Sequence, residues 1–217
     1  MSREGERNRG LFITFEGIEG VGKSTQCKRM ADYLRTEGRR VVETREPGGT
    51  TIGEQIRRIL LDQTYPGMSQ MTELLLLFAA RAEHLHKVIL PALAAGQWVV
   101  CDRFTDASYA YQGAGRGMPS SHIGTLEVLV QGDLRPDLTL LLDAPVALAL
   151  ERMSHRGGQD RFETEREVFF QRVRRGYLQQ AQRNPERFHI IDATPPMDEV
   201  TAQIQLHIDK LLRCGNL

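Results

Sequence analysis

The chain has 217 residues, of which 41% are hydrophobic and 26% charged, and its 28 Lys plus Arg balance 28 Asp plus Glu to a formal net charge of zero. That balance argues against a general nucleic-acid binder, which carries a basic excess, while leaving room for a local basic cleft. No apolar run approaches the ~20 residues of a membrane span, and the polar segment Met1 to Gly10 lacks the apolar stretch of a signal peptide.

These bounds predict a cytoplasmic protein with no membrane and no nucleic-acid partner. They also predict a single folded domain over 10–217 behind a polar tail at 1–9. Cys27, Cys101 and Cys214 are odd in number and match neither a metal knuckle nor a redox pair, so free thiols are expected.

In chain order, residues 11–16 form a short apolar β run, followed by the glycine-rich stretch 17–24. A helix is predicted from Gln26 to Glu37, stopped by Gly38, and a buried strand from Val41 to Thr44. Arg45-Glu46-Pro47-Gly48-Gly49-Thr50 reads as a loop. Ile52, Ile56 and Ile59 then repeat at helical spacing. A long helix runs from about Thr72 to Leu90, with a further turn from Pro91 that Gly96 ends. Trp98 to Cys101 is a third strand, and the glycines near the end of 102–118 favour a loop there.

A helix follows over about Ser121 to Val130. Leu138 to Asp143 reads as the clearest central strand, and Pro145 opens the next helix. That helix yields near His155 to a polar segment with Gly157-Gly158, and helix resumes from about Thr164 toward Arg183. Phe188 to Ile191 is a fifth strand, and Met197 to Leu212 a last helix. Apolar strands alternating with helices predict an α/β fold of three layers, with a parallel sheet covered on both faces.

The strongest local signal is Gly17-Ile18-Glu19-Gly20-Val21-Gly22-Lys23-Ser24, followed by Thr25, between a strand and a helix. It fits the phosphate-loop pattern, whose glycines let backbone N–H groups close around phosphate oxygens at a helix N-terminus. Lys23 is expected on the β- and γ-phosphates and Ser24 on Mg²⁺, which makes the donor ATP or GTP. No Asn-Lys-x-Asp guanine signature is present.

Ligands of open parallel sheets bind beyond the C-terminal strand ends. There the sequence places Glu16, Glu19, Arg45, Glu46, Asp102, Arg103 and Asp143. Asp102 is suited to hold Mg²⁺ through water and Arg103 to clamp phosphoryl oxygens; an internal salt bridge is the plainer alternative. Asp143 fits a magnesium shell or a helix cap equally well. Phe78 and Arg81 share a helix face, either as a base-stacking ring beside an anion-binding arginine or as a core residue with a solvated neighbour. Arg152, Arg156 and Arg161 surround Gly157-Gly158, which fits a lid over 152–163 or a solvated loop.

Taken together, several motifs over about 10–212 resemble bacterial thymidylate kinases. They are Phe15 to Thr25, Thr44 to Thr50, Phe78-Ala79-Ala80-Arg81, Asp102-Arg103-Phe104, Ala110-Tyr111-Gln112-Gly113 and Arg135-Pro136-Asp137-Leu138-Thr139. The resemblance implies a five-stranded parallel sheet of the P-loop nucleoside monophosphate kinase type, a homodimer, and transfer of phosphate from Mg-ATP to dTMP. It implies Glu19 near the sugar 3′-hydroxyl, with Arg45 and Arg103 on the acceptor phosphate. Phe78 would stack on thymine, and Arg81 would lie near the base or its phosphate. Ser108, Tyr111 and Gln112 would border base and sugar, with Tyr111 crowding a ribose 2′-hydroxyl. Gly20 stands where some relatives carry a catalytic arginine, so Arg156 and Arg161 of the lid are expected to supply it. The rivals are another nucleoside monophosphate kinase and an ATP-binding regulator without transfer activity.

Overall fold

The computed structural model describes residues 9–62, 67–154 and 163–214. Five strands, β1 (Phe12–Glu16), β2 (Val41–Arg45), β3 (Trp98–Asp102), β4 (Leu138–Asp143) and β5 (Phe188–Asp192), make one parallel sheet in the order β2-β3-β1-β4-β5. β1 is therefore the middle strand, paired with β3 on one side and β4 on the other. Its five residues are all buried, as a strand covered on both faces requires. The register brings Asp102 beside both Phe15 and Arg45, so three strands end on one level.

The crossovers are helical. They are α1 (Lys23–Thr36), α2 (Thr51–Leu61), α3 (Gln70–His84), a π-helical turn (Leu85–Ile89), α4 (Leu90–Ala94), α5 (Thr105–Ser108), a second π-helical stretch (Tyr109–Gly115), α6 (Ser120–Gln131), α7 (Val146–Ser154), α8 (Glu163–Arg183) and α9 (Met197–Cys214). One face of the sheet carries a large apolar core with Met30, Leu34, Leu140, Tyr177, Ile204 and Ile208. On the other, Phe12, Val99 and Phe104 pack with Leu85 and Ile89. The chain leaves β1 toward β2 on one side and later passes to β4 on the other. The crevice beyond β1 is thus the topological switch point where such sheets bind ligands.

Three sequence expectations change. The helix expected from Gln26 begins at Lys23, because Gly22 takes a left-handed turn (φ 92°) and lets the helix start on the phosphate-loop lysine. The long helix contains a π turn before Pro91. Near the end of 102–118, where the glycines favour a loop, the chain is π-helical through Gly115, which serves close packing. A Cβ on Gly115 would meet Phe169 and Val173 at 2.8 Å, and one on Gly176 would meet Ala114 at 2.6 Å, so α8 lies unusually near this segment.

Candidate active site

The phosphate loop runs from the buried end of β1 into α1. Gly20 has φ 81°, and a Cβ there would lie 2.2 Å from the Ala149 carbonyl oxygen, so only glycine keeps the loop's path. Lys23 curls back, and its Nζ donates to the Ile18 carbonyl at 2.7 Å. Burial pushes Lys23 down to about 8, Arg103 adds to the fall, and Asp102, Glu19 and Glu16 oppose it. A phosphate at the loop adds the negative charge that favours the protonated amine. Ser24 Oγ donates to Asp102 Oδ2 at 2.5 Å, so the two expected magnesium residues meet. A hydroxyl and a carboxylate are oxygen ligands of the kind Mg²⁺ takes, with water and phosphate oxygens able to complete its shell.

A cavity of about 490 Å³ lies over this loop, lined among others by Lys23, Ser24, Arg45, Arg57, Asp102 and Arg103. A second cavity of about 140 Å³ adjoins it, lined by Glu19, Glu46, Pro47, Leu77, Arg81, Arg103, Ser108, Tyr111 and Gln112 among others. Spaces of about 150 Å³ accept one six-membered ring. Glu19, Glu46, Pro47 and Arg103 line both cavities, so the two open onto each other.

Arg103 sits at that junction with φ 74°, the one described non-glycine residue in the left-handed region. Its backbone is held on both sides: Arg103 N donates to Phe15 O at 3.0 Å, and Phe104 N to Glu16 Oε1 at 2.7 Å. The turned backbone sends the guanidinium to Glu19 Oε1 at 3.0 Å and to the Tyr111 hydroxyl oxygen at 2.9 Å, and places it over the Tyr111 ring. The Tyr111 hydroxyl donates to Glu19 Oε2. Burial pushes Glu19 up, but Arg103, Lys23 and this hydroxyl outweigh it and hold the carboxyl below its ordinary value.

The floor of the smaller cavity is a buried charge network. Arg81 Nε donates to Glu46 Oε2 at 2.7 Å, and Arg81 Nη2 reaches the Phe104 carbonyl and Ser108 Oγ at 3.3 and 3.2 Å. His84 joins Glu46 Oε1 at 3.1 Å to Thr44 Oγ1 at 2.7 Å. Arg81 Nη1 is buried without a hydrogen-bond partner. The Glu46–Pro47 peptide is cis, and Gly49 fits against His84 and Thr44, where a Cβ would lie 2.6 Å from each.

The structure thus brings together Glu19, Lys23, Ser24, Arg45, Arg81, Asp102, Arg103, Ser108, Tyr111 and Gln112. Arg45 stands at the rim, paired with Glu54 at 3.0 Å. Phe78, expected to stack on the base, is instead buried at 2% exposure with Leu74, Met118 and Ile123, its ring under the Arg81 guanidinium. Leu77, one residue earlier, lines the cavity. Asp143 is bound bidentately by Arg174 at 2.6 and 2.7 Å and lines neither cavity. Arg156 and Arg161 lie outside the described residues. Arg152 donates to the Ala193 and Thr194 carbonyls and borders a further cavity of about 350 Å³ beside Gly20, Gly22 and Met197.

Sequence reasoning missed Arg57 and Leu77. Arg57 donates to the Pro47 carbonyl at 2.9 Å and faces Arg45; burial and that neighbouring charge hold its pKa down. It follows Glu54 by three positions on α2, but nothing local distinguishes it from a solvated helix arginine.

A parallel sheet whose middle strand runs into a phosphate loop, with a ring-sized cavity opening onto that loop, defines a P-loop nucleoside monophosphate kinase. The chain belongs to the thymidylate kinase family, whose family model matches residues 15–204. It is 57% identical over 198 residues to the thymidylate kinase of Alkalilimnicola ehrlichii, covering 91% of each chain. It is 56% identical over 203 residues to that of Pseudomonas fluorescens, covering 94% of this chain and 95% of the other. The crystal structure of thymidylate kinase from Ehrlichia chaffeensis superposes with a TM-score of 0.76 at 35% identity, over 92% of this chain and 99% of that one.

Proposed function

We propose that this enzyme transfers the γ-phosphoryl group of Mg-ATP to dTMP, giving ADP and dTDP. The observation that carries this reading is the meeting of the two cavities at Glu19 and Arg103, one over a phosphate loop and one the size of a single ring. In the transfer, the bond from the γ-phosphorus to the β,γ-bridging oxygen breaks, and a bond to a dTMP phosphate oxygen forms. The acceptor is already an anion, so no strong base is needed; positioning and charge neutralisation carry the rate.

Loop N–H groups from Gly17 to Thr25 and the Lys23 amine hold the donor phosphates. Magnesium, held by Ser24 and through water by Asp102, would neutralise phosphate charge. Arg103 stabilises the moving group, and Arg45 with Arg57 draws the acceptor phosphate toward the larger cavity. Arg81 and Gln112 contact the base beside Leu77, while Tyr111 and Glu19 border the sugar. A further positive charge for the donor phosphates is assigned to Arg156 and Arg161 by the resemblance alone.

A homodimer belongs to the same reading, supported by exposed apolar side chains on α3 and α6: Leu75 at 50%, Val128 at 68% and Leu129 at 77% exposure. A cytoplasmic location is supported by the free thiols Cys27 and Cys101. The zero net charge speaks against a nucleic-acid partner.

Steady-state rates on dTMP, dUMP, dCMP and dGMP with Mg-ATP test the assignment. The expected result is highest kcat/KM on dTMP; a better acceptor among the other three overturns it.

A further inference from the structure

Thymine and cytosine have one ring shape but opposite edges. At positions 3 and 4 thymine offers an N–H donor and a carbonyl, whereas cytosine offers a bare nitrogen and an amino group. An amide side chain could serve either base, because turning it over exchanges its carbonyl for its NH₂. Gln112 is such a side chain, 6% exposed and lining the smaller cavity.

Its orientation is set from behind. Gln112 Nε2 donates to Glu73 Oε1 at 2.7 Å. The other Glu73 oxygen is ion-paired with Arg116 at 2.7 Å. A carboxylate only accepts, so the NH₂ of Gln112 has to face Glu73, and its carbonyl oxygen is what remains for a ligand. No other hydrogen bond holds this side chain among the described residues. That acceptor matches the 3-N–H of thymine and mismatches the bare ring nitrogen of cytosine.

We propose that Glu73, held by Arg116, is a positioning residue for acceptor specificity: it fixes the Gln112 amide so that the cavity takes a pyrimidine with a ring N–H and rejects cytosine. The inference rests on the dTMP reading above. Glu73 contacts no substrate and acts through Gln112. The three residues come from α3, the second π-helical stretch and the turn after it, a convergence that no spacing in the sequence announces.

Glu73→Gln tests it. The replacement has the same shape but can accept or donate, which frees the Gln112 amide to turn. With Mg-ATP, the ratio of kcat/KM for dTMP over dCMP is expected to fall about 10-fold or more, carried by opposite changes in the two KM values. The dTMP over dUMP ratio stays at its wild-type value, because uracil presents the same edge. Arg116→Ala, at a half-exposed position that folding tolerates, is expected to lower the dTMP over dCMP ratio about 2–5-fold.

An unchanged dTMP over dCMP ratio in Glu73→Gln overturns the proposal. So does a parallel loss against dUMP, which would mark a general packing defect. If Glu73→Gln fails to fold, the Arg116→Ala ratio decides alone. A wild-type enzyme that prefers another acceptor to dTMP overturns the functional reading instead, and is seen before any variant is made.

Discussion

The two halves of the site are built on different principles. The proposed donor half is one continuous stretch, residues 17–25, whose glycines set a path that suits backbone N–H groups to phosphate oxygens. The acceptor half is assembled from β2, α3, the loop after β3 and the second π-helical stretch, and its floor is side chains: Glu46, Arg81, His84 and Thr44 joined in a buried network. A backbone site is specified by a short string of residue types. A side-chain site is specified by the fold that brings distant residues within hydrogen-bond reach. The difference predicts that donor-side substitutions act on chemistry with the fold intact, whereas acceptor-side substitutions act on binding and stability together.

The largest effect is expected for Lys23→Ala. Losing a charge aimed at the transferring phosphates should lower kcat by about 10²–10³. Calorimetric titration with dTMP should show affinity within about 3-fold of wild type, because Lys23 does not line the smaller cavity. An equal fall in dTMP affinity would break the comparison, showing the halves to be one unit. Arg81→Lys comes next. The ammonium keeps the charge but cannot reproduce the fork that reaches Glu46, Ser108 and the Phe104 carbonyl. The expected outcome is a dTMP KM raised about 10–100-fold and stability reduced by roughly 1–3 kcal/mol, with the ATP KM near wild type. A normal melting temperature would show that the network does not hold this half together.

The same difference explains what the sequence reveals. The sheet, its strands and the phosphate loop are legible because apolar alternation and glycine spacing are local. α1 starts three residues before the helix that the sequence predicts, because glycine normally ends helices and here Gly22 opens one. On the acceptor side, Arg45, Arg81 and Arg103 are readable at strand ends and by resemblance. Phe78 is not, because two adjacent helix residues point about 100° apart. Which of Leu77 and Phe78 faces the cavity depends on how α3 is rotated against the second π-helical stretch. His84, Glu73 and Arg57 acquire their meaning only from partners 10 to 43 positions away. Arg57 and Glu73 in particular look like ordinary solvated helix residues until the fold is known.

The smallest effect concerns Glu16, the residue that serves both halves. It ends β1 at the head of the phosphate loop, accepts the Phe104 N–H that holds the Arg103 turn, and accepts the Tyr177 hydroxyl from α8 at 2.9 Å. Burial raises its pKa to about 8, with the charge of Asp106 adding to the rise and Arg103 opposing it. Between the ordinary value of 4.5 and about 8, the folded chain holds a proton that the unfolded chain has released. This contribution to stability is therefore complete below 4.5 and is lost as pH rises through the folded value. Glu16→Gln removes the titration while keeping the shape. Its melting temperature relative to wild type should rise between pH 5 and pH 9, by several degrees at about 2–4 °C per kcal/mol. Lys23, held down to about 8, titrates at the upper end of this range with the opposite sign, and because Glu16 helps to hold its charge, a smaller Lys23 contribution remains in the difference above that value. Scanning calorimetry across that range makes the comparison, and a constant difference would mean that the carboxyl is already ionised at pH 5. Because Glu16 supports the loop and the Arg103 turn at once, its replacement should also raise both nucleotide KM values by a similar small factor, about 2–5-fold. That parallel response separates a shared support from residues belonging to one half.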